Sequence, residues 1–202
     1  MPSCPDDGRE RRERPTVSGA TPRLLTSFAA MAIHTVGHGM RPVEELLELL
    51  REAEIETLVD VRRYPGSRRN PQFNRGPLES ALAEAGIGYR HAVALGGRLS
   101  NEPGEERFSC IRVAAFRSYA ARMTTPEWQT ALAQAVAAPA PCLMCSETPW
   151  PRCHRRLIAE LLHARGHEVR HLIRPGQVEP HRPWEIARPQ EGRLYLCDEL
   201  VA

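Results

Sequence analysis

The sequence predicts an α/β fold, a three-layer sandwich in which helices flank a mostly parallel, Rossmann-like sheet of about five strands. Three observations lead to this prediction. Short apolar runs that suit buried strands alternate with segments of helical spacing between residues 33 and 174. Proline opens several of the helical segments, and glycine follows two of them. Regular alternation of strand and helix is typical of a parallel sheet with right-handed crossovers.

The predicted strands are the runs at residues 33–36, 57–61, 87–92, 141–144 and 168–173. The predicted helices lie at residues 42–53, 77–85, 112–123, 126–138 and 151–165. We expect the first strand to be central, with the strand at 141–144 beside it and a crevice between their carboxyl ends. The loops that follow four strands, at residues 37–39, 60–63, 95–98 and 145–147, should meet at this edge of the sheet.

The chain divides into three parts. Residues 1–31 are charged and lack apolar periodicity, which predicts a disordered N-terminal extension, with Met31 as an alternative start. Residues 32–174 form the single α/β domain. Residues 175–202 contain four prolines, which predicts a tail that wraps the surface and has a short edge strand at 193–197. No apolar run approaches the roughly 18 residues that a membrane span needs, so no membrane partner is predicted.

The composition is that of a globular protein, with 42% hydrophobic residues, 26% charged residues and a formal net charge of +2. All 27 basic residues are arginine. This excludes a Schiff-base lysine, a lysine general base and the phosphate-binding lysine of a P-loop. Six cysteines in 202 residues are too sparse for a disulfide scaffold, so we predict reduced thiols and a cytoplasmic location. The sequence identifies neither a cofactor nor an oligomeric state.

A cysteine-rich stretch at residues 141–156 joins the fourth predicted strand to the last helix. Pro151 suits the first helical position, which places Cys145 at the tip of the strand and Cys153 and His154 in the first helical turn. The free N–H groups of a helix start favour anions, and neighbouring arginines favour a thiolate. The stretch is therefore the centre of the predicted site.

Cys142, Cys145, Cys153 and His154 also have the ligand types of a zinc site. Residues three apart on a strand face opposite sides of the sheet, so Cys142 is expected to be a core thiol that faces away from Cys145. Three candidate ligands then remain, and we predict no metal site.

Short motifs recur along the domain in a fixed order. They are Thr35-Val36-Gly37-His38, Asp60-Val61-Arg62, Pro65-Gly66-Ser67, Phe73-Asn74, Gly86-Ile87-Gly88-Tyr89-Arg90-His91, Leu95-Gly96-Gly97, Cys145-Ser146-Glu147 and Cys153-His154-Arg155. Together they resemble the domain-of-unknown-function family 488 over about residues 33–174. That family typically has Ser or Thr after the Gly-His pair, where this chain has Gly39-Met40. The resemblance implies a soluble bacterial or archaeal α/β domain, without a named biochemical activity.

Six side chains at the shared edge are candidate catalytic groups. They are His38, Asp60, Cys145, Glu147, Cys153 and His154. A cysteine thiolate is a nucleophile, and an imidazole or carboxylate beside it can move protons. The alternative roles are structural: a packed Cys145, an Asp60–Arg62 ion pair and a hydrogen-bonded His38. Six residues separate Cys145 from Arg152, one more than in a cysteine-phosphatase loop, which argues against that mechanism.

The loop after Asp60 carries the strongest electrostatic signal. Residues 61–78 include five arginines, no acid and two interleaved aromatic residues. Guanidinium groups bind phosphates, and aromatic rings stack on bases. The predicted anion-binding residues are Arg62, Arg63, Arg152 and Arg155. We expect Arg62, Arg155 and the N–H groups of residues 152 and 153 to converge on one phosphate-sized site.

Three functions are consistent with these patterns. The first is a hydrolase or transferase that acts on a phosphorylated or nucleotide-like substrate through Cys145, Glu147, His38 and His154. The second is a non-catalytic module that binds nucleotides or nucleic acid through its arginines. The third is a thiol redox or metal-binding protein that uses Cys145 and Cys153. A phosphate-bearing small molecule and a nucleic acid are therefore the predicted partners.

Overall fold

A computed structural model of the chain describes residue 1 and residues 32–202. The predicted extension at residues 1–31 lies outside this described part except for its first residue. The strands are β1 (Ile33–Gly37), β2 (Thr57–Asp60), β3 (Gly88–His91), β4 (Pro141–Cys145), β5 (Val169–Arg174) and β6 (Gln177–Pro180), followed by β7 (Ala187–Gln190), β8 (Arg193–Leu196) and β9 (Glu199–Leu200). The helices are α1 (Val43–Glu52), α2 (Arg75–Glu84), α3 (Ala114–Met123), α4 (Pro126–Val136) and α5 (Arg155–Ala164).

The main sheet has six strands in the order β3-β2-β4-β1-β5-β6. The first five pair in parallel, and β6 pairs with β5 in the antiparallel direction. The prediction of an α/β fold with a mostly parallel sheet is confirmed, with one strand more than the five expected. The central position of β1 beside β4 is also confirmed, with Gly37 opposite Cys145 in the register.

Helices cover both faces of the sheet. One hydrophobic core lies under α1 and α2 and contains Leu46, Leu82 and Met144. The other lies under α3, α4 and α5 and contains Trp128 and Leu157. Successive side chains of β4 therefore point into different cores. Cys142 lies in the first core and Cys145 in the second, as the pleat of a strand requires.

The chain leaves β1 and β4 in opposite directions. From β1 it passes over β4 to reach β2, and from β4 it passes over β1 to reach β5. A sheet with this topology opens a crevice between the carboxyl ends of the two strands, where open α/β proteins bind ligands. The topology thus places the tips of β1 and β4 at the ligand-binding edge of the fold.

The last helix begins later than the sequence suggested. Trp150–Arg152 forms a single 3₁₀ turn with proline in its first positions, and Cys153 that follows is extended. Helix α5 then starts at Arg155 with His154 as its N-cap residue. Pro151 suits the start of a 3₁₀ turn as well as that of an α-helix, which explains the error. Cys153 and His154 therefore precede the helix.

The C-terminal residues extend the main sheet and core beyond residue 174. Strand β6 pairs with β5, and β7, β8 and β9 form a second, antiparallel sheet. The predicted edge strand at 193–197 corresponds to β8. Its residues Leu194 and Leu196, with Val201, are buried in the core beside α5.

One disulfide bond joins Cys110 to Cys197, whose Cα atoms are 5.6 Å apart. The prediction of reduced thiols is therefore wrong for this pair, whereas Cys142, Cys145 and Cys153 are free. The two bonded residues are 87 positions apart, so no local spacing indicates that they pair. Disulfides persist mainly in oxidising compartments. The cytoplasmic location consequently stays a prediction without support from the cysteines.

Among the described residues, no helix is long and apolar enough to cross a membrane.

Candidate functional site

A cavity of about 620 Å³ lies at the carboxyl ends of the parallel strands. All four loops that were predicted to meet at this edge contribute to its lining, together with residues of α3. The N–H group of His38, after β1, donates to the carbonyl of Cys145 at the end of β4, at 3.0 Å. The topology of the sheet and this hydrogen bond hold the two strand tips side by side.

Two thiols lie next to each other below the cavity. The Sγ atoms of Cys145 and Cys153 are 2.7 Å apart, which is shorter than a van der Waals contact and longer than the roughly 2.0 Å of a disulfide. Both residues are buried, but Cys153 belongs to the lining of the cavity and Cys145 lies behind it. Cys153 is therefore the thiol that a bound molecule would meet first.

The two thiols differ in acidity. Burial and the hydrogen bond to Cys153 raise the pKa of Cys145 well above its ordinary value. Burial also acts to raise the pKa of Cys153, but the hydrogen bond from Cys145 and the charge of Arg155 lower it to about 7. The backbone N–H of Arg155 adds a contact to the Cys153 sulfur at 3.5 Å. The pair therefore shares its protons unequally, because Cys153 ionises much more readily than Cys145.

Arg155 is a buried cation at the start of α5, with a side chain that is 1% exposed. Its guanidinium donates to the carbonyls of Glu147 at 2.5 Å and Thr148 at 3.3 Å, and to Thr35 Oγ1 at 3.3 Å. No carboxylate of the described residues lies within ion-pair distance of it. Burial acts to lower the pKa of Arg155, yet the sulfurs of Cys145 and Cys153 raise it. When Cys153 is ionised, it supplies a negative charge that can balance this buried cation.

His154 lies beside the same sulfur. Its Nε2 is 3.1 Å from the carbonyl of Val61, and its Nδ1 is 3.4 Å from Cys153 Sγ. A carbonyl can only accept a hydrogen bond, so Nε2 carries the proton and Nδ1 can accept the S–H proton of Cys153 when that residue is a thiol. Burial lowers the pKa of His154, which keeps the ring neutral at rest. Cys153, His154 and the Val61 carbonyl thus have the arrangement of a nucleophile, a base and an orienting group.

Asp60 and Arg62 form a buried ion pair. The Nε and Nη2 atoms of Arg62 contact the carboxylate at 2.8 and 2.6 Å, and the Arg62 N–H and the Tyr89 hydroxyl also donate to it at 3.0 and 2.9 Å. The remaining Nη1 donates to the carbonyl of Phe73 at 2.9 Å. These contacts use all of the carboxylate and most of the guanidinium. The geometry therefore favours the structural alternative for this pair.

His38 completes this network. Its Nδ1 is 2.9 Å from the Gly39 carbonyl, its Nε2 is 3.2 Å from Arg62 Nη1, and its ring stacks on Phe73 at 4.3 Å. Burial and the charge of Arg62 lower the pKa of His38 to about 4. The ring is therefore neutral, with both nitrogens engaged in local hydrogen bonds, and it faces Arg62 rather than the thiols.

Glu147 contributes its backbone to the thiol pair and its side chain to the cavity. Its N–H donates to Cys145 Sγ at 3.3 Å, and its carbonyl accepts from Arg155. This contact needs a glycine on β1, because a Cβ on Gly37 would lie 2.0 Å from the Glu147 carbonyl oxygen. Gly97 meets a similar requirement, since a Cβ there would lie 2.6 Å from His154 Nδ1.

Four exposed or half-exposed arginines surround the cavity. They are Arg63, Arg69, Arg98 and Arg152. None of the four has an ion-pair partner among the described residues. Glu147 is the single carboxylate among the described residues that line the cavity. The cavity is consequently electropositive, as the arginine-rich loop suggested.

The prediction that Arg62, Arg155 and the N–H groups of residues 152 and 153 bind one anion is wrong in two respects. The N–H groups of Arg152 and Cys153 already donate to the carbonyls of Pro149 and Trp150, at 3.1 and 3.2 Å. Arg62 is neutralised by Asp60, and Arg155 lies behind the thiols outside the cavity lining. The convergence of these groups on one phosphate therefore does not occur. The unpaired arginines at the rim are available in their place.

Sequence reasoning missed Arg69, Arg98 and Tyr119 as lining residues. Arg98 follows the Gly96-Gly97 pair at a strand-tip loop, a position that could have identified it. Tyr119 is buried on the inner face of α3, and its ring also borders His154 at 5.1 Å. No pattern in the sequence distinguishes that position from an ordinary core residue.

The family model described as Domain of unknown function DUF488 matches residues 42–162, more than half of the 202 residues. This range contains both thiols, the arginine-rich loop and every residue that lines the cavity except His38, Gly39 and Met40. No curated protein and no solved structure matches the chain significantly.

Proposed function

The chain belongs to the DUF488 family, and we propose that this member is an enzyme that transfers a phosphoryl group from a phosphate-bearing substrate to the Cys153 thiolate. Hydrolysis, or transfer to a second acceptor, completes the reaction. His154 moves the protons, Arg155 stabilises the thiolate, and the arginines at the rim bind the substrate.

The observation that carries this proposal is the pairing of Arg155 with Cys153. A buried guanidinium without a carboxylate requires another negative charge, because an unpaired charge in the interior is costly. The backbone N–H of Arg155 donates to Cys153 Sγ at 3.5 Å, and the charge of Arg155 lowers the pKa of this thiol, which lines the cavity. A readily ionised thiol that a ligand can reach supports the proposal of nucleophilic cysteine catalysis.

The charge of the cavity supports a phosphate-bearing substrate. Arg63, Arg69, Arg98 and Arg152 are free to form charge-assisted hydrogen bonds with phosphate oxygens. They would also stabilise the negative charge that develops on the oxygens of a transferring phosphoryl group. Exposed Tyr64 and Met40 border the same cavity and could contact a nucleoside.

The proposed reaction has two steps. Cys153 Sγ attacks phosphorus, the S–P bond forms and the bond from phosphorus to the leaving oxygen breaks. The proton that neutral Cys153 carries below its pKa passes to His154 Nδ1 and then to the leaving oxygen. In the second step water attacks phosphorus, the S–P bond breaks, and phosphate leaves. His154 accepts the proton of the water and passes it to the released Cys153 sulfur or to solvent.

We expect iodoacetamide to alkylate Cys153 with a half-maximal rate near pH 7. The thiolate is the reactive form, so the rate should fall about tenfold for each pH unit below that midpoint. Inorganic phosphate should slow the reaction when ionic strength is kept constant with chloride. Peptide mapping by mass spectrometry reports each cysteine separately, and Cys142, which is fully buried, is the internal reference.

The matched variants change one arginine each. Arg152→Gln should weaken protection by phosphate, whereas Arg193→Gln, at an exposed position away from the cavity, should leave it unchanged. If the pH midpoint of Cys153 alkylation lies near the ordinary pKa of a thiol, Cys153 is not an activated nucleophile and the proposal fails. A different outcome is that phosphate does not protect Cys153 and that an oligonucleotide binds in a salt-dependent manner. In that case the protein is a nucleic-acid-binding module.

The sulfur–sulfur distance of 2.7 Å supports a second candidate, a thiol redox function. A hydroperoxide would transfer an oxygen atom to the Cys153 thiolate and leave as an alcohol or water. The Cys145 thiol would then attack the sulfenic acid at Cys153, release water and close a disulfide. A low-molecular-weight thiol would reduce this bond and restore the pair.

We expect stoichiometric hydrogen peroxide to link Cys145 and Cys153 in the wild-type protein. In Cys145→Ser the oxidation should stop at a sulfenic acid, because the resolving thiol is absent. Non-reducing peptide mapping distinguishes the two products. Oxidation of Cys153 beyond the sulfenic acid in the wild-type protein, without a Cys145–Cys153 bond, would contradict the redox candidate.

A further inference from the structure

Behind the thiol pair, five buried polar side chains form one continuous chain of contacts. They are Arg155 and Glu160 on α5, Thr35 on β1, His171 on β5, and His181 just after β6. Arg155 Nη1 lies 3.3 Å from Thr35 Oγ1, which lies 2.7 Å from His171 Nδ1. His171 Nε2 lies 3.1 Å from His181 Nδ1, and His181 Nε2 lies 3.3 Å from Glu160 Oε2.

The direction of the hydrogen bonds in this series of contacts follows from its Arg155 end. Arg155 can only donate, so Thr35 Oγ1 accepts from it and its own hydroxyl proton is free for His171 Nδ1. His171 Nε2 then carries a proton and donates to His181 Nδ1. His181 Nε2 lies within ion-pair distance of the Glu160 carboxylate, but this last contact lacks hydrogen-bond geometry. Each hydrogen bond from Arg155 to His181 has one donor and one acceptor.

Other contacts hold the chain in place. Trp150, in the 3₁₀ turn before Cys153, stacks on the His171 ring at 4.1 Å with an interplanar angle of 10°. The other oxygen of Glu160 accepts the N–H of Trp184 at 2.8 Å. Burial, His181 and Arg155 lower the pKa of His171 to about 3, so the ring stays neutral across the physiological range. None of these groups touches the cavity, so the chain is not part of the substrate site.

We propose that Thr35, His171, His181 and Glu160 are positioning residues that hold the Arg155 guanidinium beside the thiol loop and thereby set the reactivity of Cys153. Arg155 has two further acceptors, the carbonyls of Glu147 and Thr148, on the side of the thiol loop. Among the described residues, Thr35 is the one side-chain hydroxyl that accepts a hydrogen bond from Arg155. Thr35 lies on β1, whereas the two carbonyls lie in the loop after β4. The chain therefore anchors the guanidinium from the sheet side. This inference rests on the proposed role of Cys153 as the nucleophile.

The groups around Cys153 that carry or can carry charge are Cys145 on β4, Tyr119 on α3, and His154 and Arg155 at the start of α5. The variants that test the chain leave all of them unchanged. A shift in the pH profile of Cys153 must then come from the placement of Arg155. If these polar contacts only stabilised the fold, their removal would not shift the pH dependence of Cys153 alkylation.

The test compares two substitutions at one position. Thr35→Val keeps the branched shape and removes the hydroxyl, whereas Thr35→Ser keeps the hydroxyl and removes a methyl group. Thr35→Val should raise the pH midpoint of Cys153 alkylation and lower the rate at pH 6 about threefold to tenfold, a shift of roughly half to one pKa unit. Thr35→Ser should stay within about twofold of the wild type although it lacks a buried methyl group.

A second pair tests the far end of the chain. His181→Ala removes the acceptor of His171, and His163→Ala removes an exposed histidine whose ring lies 5.8 Å from that of His181. The first should shift the profile in the same direction as Thr35→Val, and the second should not shift it. If Thr35→Val does not fold, the comparison of His181→Ala with His163→Ala tests the positioning role by itself.

The outcomes separate this inference from the proposed function. A wild-type midpoint near the ordinary thiol value would overturn the proposed role of Cys153. A wild-type midpoint near 7 that Thr35→Val and His181→Ala leave in place would overturn the positioning role and leave the nucleophile intact. Equal shifts for Thr35→Val and Thr35→Ser would show that packing at this position, and not the hydroxyl, controls the thiol.

Discussion

Cys153→Ser is expected to reduce the hydrolysis of p-nitrophenyl phosphate by a factor on the order of 10³ or more, the loss that follows removal of a catalytic nucleophile. A serine hydroxyl does not ionise near neutral pH, and it cannot act as the counter-ion of Arg155. The variant therefore loses both the nucleophile and the charge that the buried guanidinium requires. Release of p-nitrophenol at pH 7 measures the loss, and circular dichroism checks that the variant is folded.

Cys142→Ala is the matched control for this experiment. Cys142 lies on the same strand as Cys145 and is fully buried, but it faces the core under α1 and α2. Its removal should cost some stability and leave the rate per folded molecule within about twofold, since it touches neither the cavity nor the thiol pair. If Cys153→Ser keeps most of the wild-type activity, Cys153 is not the nucleophile.

Asp60→Asn is expected to lower the free energy of unfolding by about 3–5 kcal/mol, the cost of leaving one partner of a buried ion pair without its counter-charge. Asp60 is fully buried and accepts four hydrogen bonds from Arg62 and Tyr89. The amide group of asparagine has one acceptor oxygen, and its NH₂ group would face a donor of Arg62. Arg62 is only 6% exposed and cannot turn to solvent in compensation. Urea unfolding measures the change, provided that the slope with denaturant is unchanged.

Glu79→Gln serves as the comparison for the ion pair. Glu79 lies 3.7 Å from Arg75 on the surface of α2, and both side chains are more than half exposed. Loss of such a pair costs at most about 0.5 kcal/mol. An Asp60→Asn variant as stable as Glu79→Gln would mean that water reaches the Asp60–Arg62 pair. In that case Asp60 would again be a candidate for proton transfer.

The alternation of apolar runs and helical segments was sufficient to predict the order of the elements. Strand β1 was expected at residues 33–36 and spans Ile33–Gly37, and β4 was expected at 141–144 and spans Pro141–Cys145. The central place of β1 was expected from the arrangement of open α/β sheets, in which the ligand crevice opens at a switch point between two strands. The meeting of four loops at one edge is a consequence of these rules. The opposite facing of Cys142 and Cys145 needs only the two-residue repeat of a strand.

The chemistry inside the site depended on contacts that no local pattern contains. The sequence shows Cys145 and Cys153 as similar candidates, whereas burial raises the pKa of Cys145, and the hydrogen bond between the thiols and the charge of Arg155 lower that of Cys153. Arg62 resembles an anion-binding residue in the sequence, but Asp60 neutralises it in the fold.

Pairings between distant positions are also absent from any local pattern of the sequence. Thr35 and His171 are 136 residues apart, and Cys110 and Cys197 are 87 apart. Periodicity records which face of an element is buried, so it determines the strands, the helices and the edge where their tips meet. Which polar groups pair within that burial is decided by side-chain packing between elements, and there the cost of an unpaired charge selects the partners.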